Sequence, residues 1–418
     1  MSIKVLIVGS GGREHALAWK IAQSPQLEKL YVAPGNAGTG KWNIPIAVND
    51  LDSLVKFAQK EQIDLTVVGP EEPLSLGIVD VFKEAGLRIF GPTQAASQLE
   101  GSKAFAKTVM DKANIPTAKW AVFEEPLQAK DYIKKIGAPC VVKADGLAAG
   151  KGVIVAEDLK TALDAVDEIM DGKFGNAGRK VIIEEFLEGQ EVSLLCFADG
   201  VTACPMVPVQ DHKRALDGDQ GLNTGGMGTY SPPPVWNSSI EQIVCQDILK
   251  PTLEVMKQMG IPFQGVLFIG LILTQSGPKV LEYNVRFGDP ETQVVMARLQ
   301  SDLLSVLWAC TEEKLAEVEL KWSDEMAVCV VMAALGYPQT YEKGILLQLP
   351  QIVGTEGIVF HAGTSFENGK LVSSGGRVLG VTSWGKNLVE ARKNTYALVE
   401  RIDFPRSYYR HDIGSKGL

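Results

Sequence analysis

Apolar runs alternate with helical patterns through the first hundred residues of the chain. The run IKVLIVG at 3–9 ends in glycine and precedes a helical pattern, and LEKLYVAPG at 27–35 repeats this arrangement. A third run, IDLTVVGPEE at 63–72, follows a helical pattern at 51–61. Strands and helices that alternate in this way form a parallel sheet with helices on both faces. We therefore expect an N-terminal, doubly wound parallel sheet domain at residues 1–100.

The sequence changes in character after residue 100, and further regions are predicted. A connecting helix at 101–122 leads into strands and turns at 123–190, which form a small α+β unit. A larger α+β unit at 191–325 contains the strands GVLFIGLILT and PKVLEYNVR, and MAVCVVMAAL opens a C-terminal mixed α/β domain at 326–418. Single helices are expected near 74–87, 158–171, 238–259, 291–309 and 385–401, and a hairpin at ENGK, 367–370.

Composition excludes several classes of protein. Among 418 residues, 41 Lys and Arg stand against 50 Asp and Glu, and this acidity argues against nucleic acid as the main partner. The six cysteines form no C-x-x-C pair and are interpreted as buried residues of a reduced cytoplasmic protein. The N-terminus enters a strand without a signal pattern, and no apolar run reaches the roughly 18 residues of a membrane helix. We expect a cytoplasmic protein that does not contact a membrane.

The stretch VVKADGLAAGKGVIVA looks like a phosphate-binding loop but departs from the Walker A motif. That motif needs four residues between its glycines and a Ser or Thr after its lysine. Here only three residues separate Gly146 from Gly150, and Gly152 follows Lys151. The flanking apolar runs are typical of strands on both sides. The segment therefore predicts a glycine-rich β-hairpin that closes over phosphates as a lid, with Lys143 at its base.

Two motifs in the first domain are suited to a phosphorylated sugar. GSGGREH follows a strand and opens a helix, where backbone N–H groups bind anions. Glu14 stands where the dinucleotide fingerprint has its third glycine, which argues against NAD. A phosphate site at Gly11, Gly12 and Arg13 is favoured over a plain tight turn. Glu71 in GPEEP follows a strand end and can hold a sugar hydroxyl, or it caps a helix.

The stretch LEYNVRFGDPE is the most specific local signal. Side chains alternate along a strand, so Glu282, Asn284 and Arg286 share one face. Carboxylate and amide oxygens are ligands for Mg²⁺, and an adjacent arginine binds phosphate or carboxylate. A solvent-exposed strand face is the alternative. The apolar strand FIGLILT nearby favours a buried site instead.

Two further segments carry candidate binding groups. The strand VIIEEFLEG can present backbone groups to an adenine edge, with Glu191 near a ribose, although a buried strand that leads into an acidic turn is the alternative. The turn-rich segment at 209–234 has no apolar periodicity and exceeds the usual loop length, so we expect a functional loop. Its Thr-Gly-Gly-Met-Gly stretch exposes N–H groups suited to an anion. His212 is better explained as a residue that structures this loop than as a base.

Taken in order, these motifs resemble those of the ATP-grasp superfamily. GSGGREHALAWK, PGNAG, GPE-P, KADGLAAGKGV, DHKR, NTGGMG and RFGDPETQ together resemble the glycinamide ribonucleotide synthetase family along essentially the whole chain. The resemblance implies a doubly wound N-terminal domain, a central ATP-grasp fold of two α+β subdomains and a C-terminal mixed α/β domain. It also implies ATP-dependent ligation of glycine to 5-phosphoribosylamine in purine synthesis, through a glycyl phosphate.

The resemblance also implies roles for individual residues. ATP would be bound by Lys103, Lys143, Asp145, Gly146, Gly150, Lys151, Gly152, Glu184, Glu185, Phe186, Leu187 and Glu191. Glycine and the phosphoribosyl substrate would be bound by Gly11, Gly12, Arg13, Asn36, Glu71, Lys213, Thr224, Gly225, Gly226 and Arg286. Glu282 and Asn284 would hold Mg²⁺ or Mn²⁺, and Arg286, Asp211 and Lys143 would act in catalysis, with Arg377 supplied by the C-terminal domain.

Two alternatives remain open from the sequence. One is another ATP-grasp ligase or a carboxylase, which would act on a different carboxylate and amine or on bicarbonate. The other is a catalytically silent nucleotide-binding protein, against which the lysines and the E-x-N-x-R pattern argue. We expect a monomer or a weak homodimer.

Overall fold

A computed structural model describes residues 2–146, 152–172, 174–353 and 356–418 of the chain. Within these ranges the chain forms four larger sheets and two two-stranded hairpins. Four clusters of buried apolar side chains lie between the sheets and the helices. The mixed α/β architecture agrees with the predicted fold class.

The first sheet is parallel, as predicted. Its strands, in spatial order, are β2 (Leu27–Pro34), β1 (Ile3–Gly9), β3 (Leu65–Val68) and β4 (Ile89–Phe90). The helices of this part are α1 (Gly12–Ile21), α2 (Leu51–Glu61), α3 (Glu71–Ser75) and α4 (Ile78–Glu84). Alternate residues of β1 pack into different cores. Leu6 and Val8 belong to one core and Val5 and Ile7 belong to the other, so the sheet is covered on both faces.

One expected helix in this domain is wrong. The segment LSLGIVDVFKEAGL was expected to form a single helix, but α3 ends before Gly77 and α4 begins after it. Gly77 has a φ of +86°, in the left-handed region that interrupts a helix and that glycine adopts without steric cost.

The small α+β unit has an antiparallel sheet and a core of its own. Short helix α5 (Gln98–Gly101) and helix α6 (Lys103–Lys112) precede it. Its strands in spatial order are β5 (Trp120–Phe123), β8 (Val181–Glu185), β6 (Cys140–Ala144) and β7 (Val153–Ala156). The buried residues of its core all lie between Ala129 and Ile183. β6 and β7 form the predicted hairpin, and the hairpin tip at 147–151 lies outside the described residues.

This unit contains one helix more than the sequence predicted. Helix α8 (Leu159–Met170) was expected, but α7 (Pro126–Ile136) was not. Only Ala129 and Ile133 of α7 are buried, so its apolar stripe is too narrow to be recognised from periodicity.

The large unit places a four-stranded antiparallel sheet beside the first domain. Its order is β10 (Ala203–Pro205), β9 (Gln190–Asp199), β15 (Gln264–Thr274) and β16 (Gly277–Asn284). The expected helix at 238–259 consists of α9 (Ser238–Ile243), a π-helical turn at Val244–Leu249 and α10 (Lys250–Gln258). Apolar side chains from the first sheet and from this unit share the same two cores.

The single helix expected at 291–309 is wrong. The chain forms α11 (Glu291–Arg298) and α12 (Leu303–Thr311). Leu299 is extended, and the side chain of Asp302 accepts a hydrogen bond from Leu304 N and so caps the second helix. A local cap therefore divides a segment whose apolar content alone looks continuous.

The turn-rich segment at 209–234 was expected to be a loop, but it contains regular secondary structure. It contains β11 (Gln210–Asp211), β12 (Arg214–Leu216), β13 (Gln220–Asn223) and β14 (Gly228–Ser231). β12 and β13 form a hairpin, and β11 and β14 join the C-terminal sheet. Strands of two to four residues are too short to show an alternating pattern.

The C-terminal sheet continues from these strands. Its order is β11, β14, β17 (Met326–Ala334), β21 (Arg377–Gly385) and β18 (Ile358–His361), with β22 (Ser407–Tyr408) paired to β17. The hairpin expected at ENGK is confirmed as β19 (Thr364–Glu367) and β20 (Lys370–Ser373). Helix α13 (Leu388–Val399) packs on β21. In the described part of the chain no helix combines the length and apolar character needed to cross a membrane.

Candidate active site

The carboxylate of Glu282, on β16, lies within a group of cationic side chains. The side chains that act on its charge are Lys213, Lys143, Lys103 and Arg286. Burial by itself raises the pKa of Glu282, but the four positive charges outweigh it and hold that pKa below its usual range. Glu282 is therefore ionised among cationic side chains, and an ionised carboxylate is a suitable ligand for a divalent cation.

The end of β16 has the alternation that the sequence predicted. Tyr283 and Val285 are buried, whereas Glu282, Asn284 and Arg286 keep partial exposure on the other side. Arg286 Nη2 lies 3.5 Å from Asn284 Oδ1. A carboxylate, an amide oxygen and a guanidinium therefore come together at this strand end.

Two acidic residues from the N-terminal half hold Arg286. Its Nη2 donates to Glu100 Oε1 at 3.0 Å, and its Nε lies 3.3 Å from Glu71 Oε2. Glu100 also accepts from Val285 N at 2.8 Å. Burial raises the pKa of Glu100. Glu71 was predicted to contact a sugar, and here it forms an ion pair with Arg286. The positive charges of Arg286 and Arg13 lower the pKa of Glu71, although burial alone would raise it.

A second charged cluster lies under the lid strands. Glu184 Oε2 is 2.9 Å from Lys143 Nζ and 3.2 Å from Lys107 Nζ. Lys107 and Glu184 are each 2% exposed. Burial lowers the pKa of Lys107 to about 8, against the attraction of Glu184. Lys143 Nζ also lies 3.4 Å from the carbonyl oxygen of Leu281, so this cluster adjoins the strand of Glu282.

Lys103 and Asp145 lie at the base of the lid. Lys103 Nζ donates to the carbonyl of Gly146 at 3.2 Å, and burial lowers its pKa. Asp145, predicted to contact ATP, accepts hydrogen bonds from Ala104 N at 2.8 Å and from the Ser102 hydroxyl at 3.0 Å. Its carboxylate therefore caps the start of α6, the helix that carries Lys103. The predicted lid residues Gly150 and Lys151 lie outside the described residues, and Gly152 precedes β7.

The segment after β8 presents groups in different directions. Glu185 Oε1 accepts from Lys119 N at 3.0 Å, so this carboxylate is bound to the backbone just before β5 and not to Lys107 and Lys143. Phe186 is exposed and Leu187 is partly buried. Glu191 Oε2 is 2.7 Å from Lys213 Nζ, and this attraction raises the pKa of Lys213.

The loop after β1 is joined to the end of the LEYNVRFGDPE motif. Arg13 Nη1 donates to the carbonyl of Phe287 at 2.9 Å, and its Nε donates to Glu14 at 2.6 Å. Glu14 fills the space beside Gly9 and Gly69, since a Cβ on Gly69 would lie 1.9 Å from Glu14 Oε1. Glu14, which replaces the third glycine of the dinucleotide fingerprint, therefore packs tightly against Gly9 and Gly69.

Gly11 and Gly12 lie in the same tight junction. The amide of Gly11 donates to the Glu14 carboxylate, and a Cβ on Gly12 would lie 2.6 Å from Gln293 Nε2 of α11. Asn36 Nδ2 donates to the carbonyls of Ser10 and His361, each at 2.8 Å. The hydrogen bonds of Asn36 therefore hold the loop in place.

Asp211 and Glu291 form a pair of neighbouring carboxylates. Burial and then the charge of Glu291 raise the pKa of Asp211 well above its usual range, and burial raises the pKa of Glu291 too. A Cβ on Gly226 would lie 2.8 Å from Asp211 Oδ1, so the glycine-rich turn lies directly against this carboxylate. The pair favours a shared proton or a bound cation.

The C-terminal domain fastens this turn. Arg377 Nη1 donates to the carbonyls of Gly225 and Gly226 and, at 2.7 Å, to that of Asp289. The amide and hydroxyl of Thr224 both donate to the carbonyl of Lys213, at 2.8 Å and 2.9 Å. The turn is thereby held between two chain regions.

His212 has a structural position. Its ring is fully buried, accepts from Gly414 N at 3.3 Å and lies 3.1 Å from the carbonyl of Gly228. Burial lowers its pKa to about 4. The interpretation that His212 structures the loop agrees with these contacts.

Comparison with known proteins assigns the family. The descriptions "Phosphoribosylglycinamide synthetase, N domain", "ATP-grasp (A) domain" and "C domain" match residues 3–100, 101–292 and 327–416. The chain belongs to the phosphoribosylglycinamide synthetase family. The matched ranges include Arg13, Glu282 and Arg377.

Curated relatives in the phosphoribosylglycinamide synthetase family are similar over their full length. A phosphoribosylamine–glycine ligase of Brucella melitensis is 50% identical over 420 residues, covering 100% of this chain and 98% of that protein. One of Vibrio parahaemolyticus is 49% identical over 423 residues, covering 100% and 99%.

Solved structures agree with the fold of the family. A phosphoribosylamine–glycine ligase from Thermotoga maritima has a TM-score of 0.86 at 35% identity, covering 98% of this chain and 100% of that one. The biotin carboxylase domain of Hydrogenobacter thermophilus 2-oxoglutarate carboxylase, solved with MgADP, has a TM-score of 0.73 at 16% identity, covering 98% and 92%. The second similarity shows the ATP-grasp fold alone.

Four charged residues of the site were not assigned from the sequence. Asp289 and Glu291 belong to the quoted RFGDPE motif, which could have drawn attention to them. Lys107 follows Lys103 by one helical turn and shares its face of α6. Glu100 had no local signal, because its partner Arg286 is 186 residues away.

The residues present fit a nucleotide with a divalent metal. Glu282 and Asn284 offer two hard oxygen donors, and within the described ranges no group of three or more His, Cys, Asp or Glu is arranged to hold an ion. Mg²⁺ is commonly bound by one or two protein oxygens and completed by phosphates and water. Glu184 Oε1 is buried without a hydrogen-bond partner in the described structure, as expected where a ligand donor completes the site.

Proposed function

We propose that the protein joins glycine to 5-phosphoribosylamine at the expense of ATP, giving glycinamide ribonucleotide, ADP and phosphate in de novo purine synthesis, and that the site around Glu282 performs this reaction. Family membership and relatives at 49–50% identity along the whole chain support the reaction. The observation that carries the site assignment is the ionised carboxylate of Glu282 beside Asn284, among four cationic side chains.

The first step transfers a phosphoryl group. The carboxylate of glycine attacks the γ-phosphorus of ATP, the bond to the β-phosphate oxygen breaks, and glycyl phosphate and ADP result. Such a step needs positioning and neutralised charge more than a protein nucleophile. We assign Lys103 and Lys143 to the phosphates of ATP, and Arg286 to the glycine carboxylate and the acyl phosphate. Mg²⁺ or Mn²⁺ held by Glu282 and Asn284 would supply further positive charge.

The second step forms the amide. The amine of phosphoribosylamine attacks the carbonyl carbon of glycyl phosphate, and phosphate leaves. The amine releases a proton, and we assign this proton to the carboxylate of Asp211, which lies beside Glu291. Burial raises the pKa of Asp211 and so makes it a stronger base than an exposed aspartate. Lys213, Thr224, Gly225 and Gly226 would hold the substrate on the same side.

We assign the remaining ends of the substrates as follows. Glu184 to Leu187 and Glu191 contact adenosine, and Gly146 with the lid covers the phosphates. Gly11, Gly12 and Arg13 bind the phosphoribosyl end. Asn36 acts on this end through the loop it fastens, and Glu71 acts through Arg286 as well as on the ribose.

The decisive experiment is Glu282→Gln, which keeps the shape of the side chain and removes its charge. We expect ADP formation that depends on both glycine and phosphoribosylamine to fall about 100-fold or more. Glu319→Gln, at an exposed side chain, is the control and should retain full turnover. Full activity of Glu282→Gln would overturn the metal assignment. ADP release that depends on bicarbonate instead of glycine would favour a carboxylase.

Domain boundaries, location and assembly are proposals of the same kind. We propose divisions at 1–100, 101–122, 123–190, 191–325 and 326–418, a cytoplasmic location, and a monomer or weak homodimer. Because β11 and β14 contribute to the C-terminal sheet, limited proteolysis should not separate residues 326–418 from the rest without unfolding that sheet.

A further inference from the structure

The carboxylate of Glu184 is bound by two ammonium groups, although one would neutralise its charge. Lys143 and Lys107 both approach the same oxygen, Oε2, at 2.9 Å and 3.2 Å. The other oxygen, Oε1, is buried and has no hydrogen-bond partner in the described part of the chain. A buried acceptor without a partner costs about 1–3 kcal/mol. Such an atom indicates a place where a ligand donor binds.

Besides Glu184, Lys107 is held by groups that the proposed function does not assign to the nucleotide. Its Nζ donates to Thr117 Oγ1 at 2.7 Å, and that hydroxyl donates to the carbonyl of Val280 at 2.6 Å. Val280 belongs to β16, the strand of Glu282. Lys107 therefore links α6, the small sheet and β16 through one ammonium group.

Lys143 has competing partners. Besides Glu184, it faces the carbonyl of Leu281 at 3.4 Å and acts on the charge of Glu282. In the proposed function, Lys143 binds the phosphates of ATP. When its ammonium turns toward that ligand, Glu184 loses one of its two cations, and Lys107 is the cation that stays.

We propose that Lys107 is a positioning residue for the purine base: it holds Glu184 Oε2, so that Oε1 points into the base site and accepts a hydrogen bond from the 6-amino group of adenine. This inference rests on the proposed function, in which Glu184 contacts adenosine. Lys107 does not touch the nucleotide itself. It sets the preference for a purine with an amino group at position 6 over one without it.

The test compares ATP with purine ribonucleoside triphosphate, which lacks the 6-amino group, in the complete reaction. In Lys107→Met we expect the KM for ATP to rise about tenfold, with kcat and the KM for glycine nearly unchanged. The KM for purine ribonucleoside triphosphate should change little, so the preference between the two nucleotides should fall about tenfold. A general structural defect would raise both KM values together.

Two further variants keep the inference falsifiable. Lys107→Gln can still donate to Glu184 and Thr117 and should restore part of the preference, even if Lys107→Met folds poorly. Glu184→Gln should lose the preference by itself, and Lys107→Met added to it should have no further effect on the preference. Glu184→Gln with an unchanged ATP preference would show that the adenosine assignment in the proposed function is wrong. An altered preference in Glu184→Gln but not in the Lys107 variants would overturn the role of Lys107 alone.

Discussion

Arg377 Nη1 donates a hydrogen bond to the carbonyl oxygen of Asp289, at 2.7 Å. The same guanidinium donates to the carbonyls of Gly225 and Gly226, and its Nη2 lies 3.6 Å from the Asp289 carboxylate. Asp289 in turn accepts from the amide of Arg13 at 3.5 Å. The C-terminal domain, the glycine-rich turn and the first loop are therefore joined through Arg377 and Asp289.

Arg377→Met should weaken the phosphoribosylamine end of the site. It removes donors from three carbonyls and leaves the Asp289 carboxylate with less positive charge around it. We expect kcat/KM for phosphoribosylamine to fall about 10- to 100-fold, with the KM for ATP nearly unchanged, because hydrogen bonds to charged groups contribute about 1.5–3 kcal/mol. Steady-state kinetics with each substrate varied in turn measures this. Arg401→Met removes an exposed ion pair with Glu356 and should change neither value.

Asp145→Ala should affect both stability and ATP binding. The carboxylate caps the turn that carries Lys103, so its loss should cost about 1 kcal/mol of stability and loosen that lysine. We expect a lower Tm and a KM for ATP raised a few-fold. Asp158→Ala removes the cap of α8 and should lower the Tm by a similar amount without changing that KM. Loss of ATP turnover in Asp145→Ala at an unchanged Tm would instead identify a direct ligand.

Elements with a long, regular pattern were predictable from the sequence. Helix α2 occupies Leu51–Glu61, the predicted range, because Asp50 caps its start and its apolar residues recur at helical spacing. The apolar runs of β1, β9 and β15 are equally visible because both faces of these strands are covered. Helix α7 was not predictable because it buries only two side chains. The strands β11 to β14 were not predictable because each has only two to four residues, and β14 is stabilised by pairing with β17, far along the chain.

The same distinction applies to the site. The face formed by Glu282, Asn284 and Arg286 follows from the alternation of a single strand, which is a local property. The ion pairs that fix this face are not local: Arg286 is bound by Glu100, and Glu184 is bound by Lys107. A single sequence shows which residues are charged but not which of them pair in the fold. The site residues could therefore be proposed, whereas the network that holds them could not.

Three of the four histidines should make the fold sensitive to acid. Burial lowers the pKa of His15 to about 3, with a contribution from the neighbouring His361, and burial lowers those of His212 and His361 to about 4. The unfolded chain binds more protons than the folded chain between these values and the ordinary pKa of about 6.5. Stability should therefore fall as the pH drops from about 6.5 toward 4, by up to about 1.4 kcal/mol per pH unit for each histidine.

The measurement is the slope of Tm against pH in this window. His361→Gln should reduce the slope, because the amide of residue 361 still donates to His15 Nδ1 while one titrating ring is removed. His411→Gln is the control, since that ring lies 70% exposed, and it should leave the slope as in the unaltered protein. Equal slopes in both variants would show that the buried ring at 361 does not govern the acid limb.

The last prediction concerns the C-terminal segment and the β12–β13 hairpin. Arg410 is 1% exposed, donates to the carbonyl of Arg214 at 3.0 Å, and is bound by the carboxylates of Asp219 and Asp412. The hairpin it holds connects Lys213 to the glycine-rich turn. Replacing this buried guanidinium by an apolar side chain should therefore free the hairpin without touching the substrates.

Arg410→Met should accelerate amide hydrogen exchange at residues 214–223, with exchange in β15 unchanged. The KM values for glycine and phosphoribosylamine should rise together, because Lys213 and Thr224 lie at the two ends of the freed hairpin. Lys416→Met is a matched control: it removes another cation from Asp219, but an exposed one whose ion pair contributes about 0–1 kcal/mol. If the two variants change exchange equally, charge on Asp219 and not the buried guanidinium holds the hairpin. A larger effect in Arg410→Met would assign that task to the buried guanidinium, with its contacts to the Arg214 carbonyl and to Asp412.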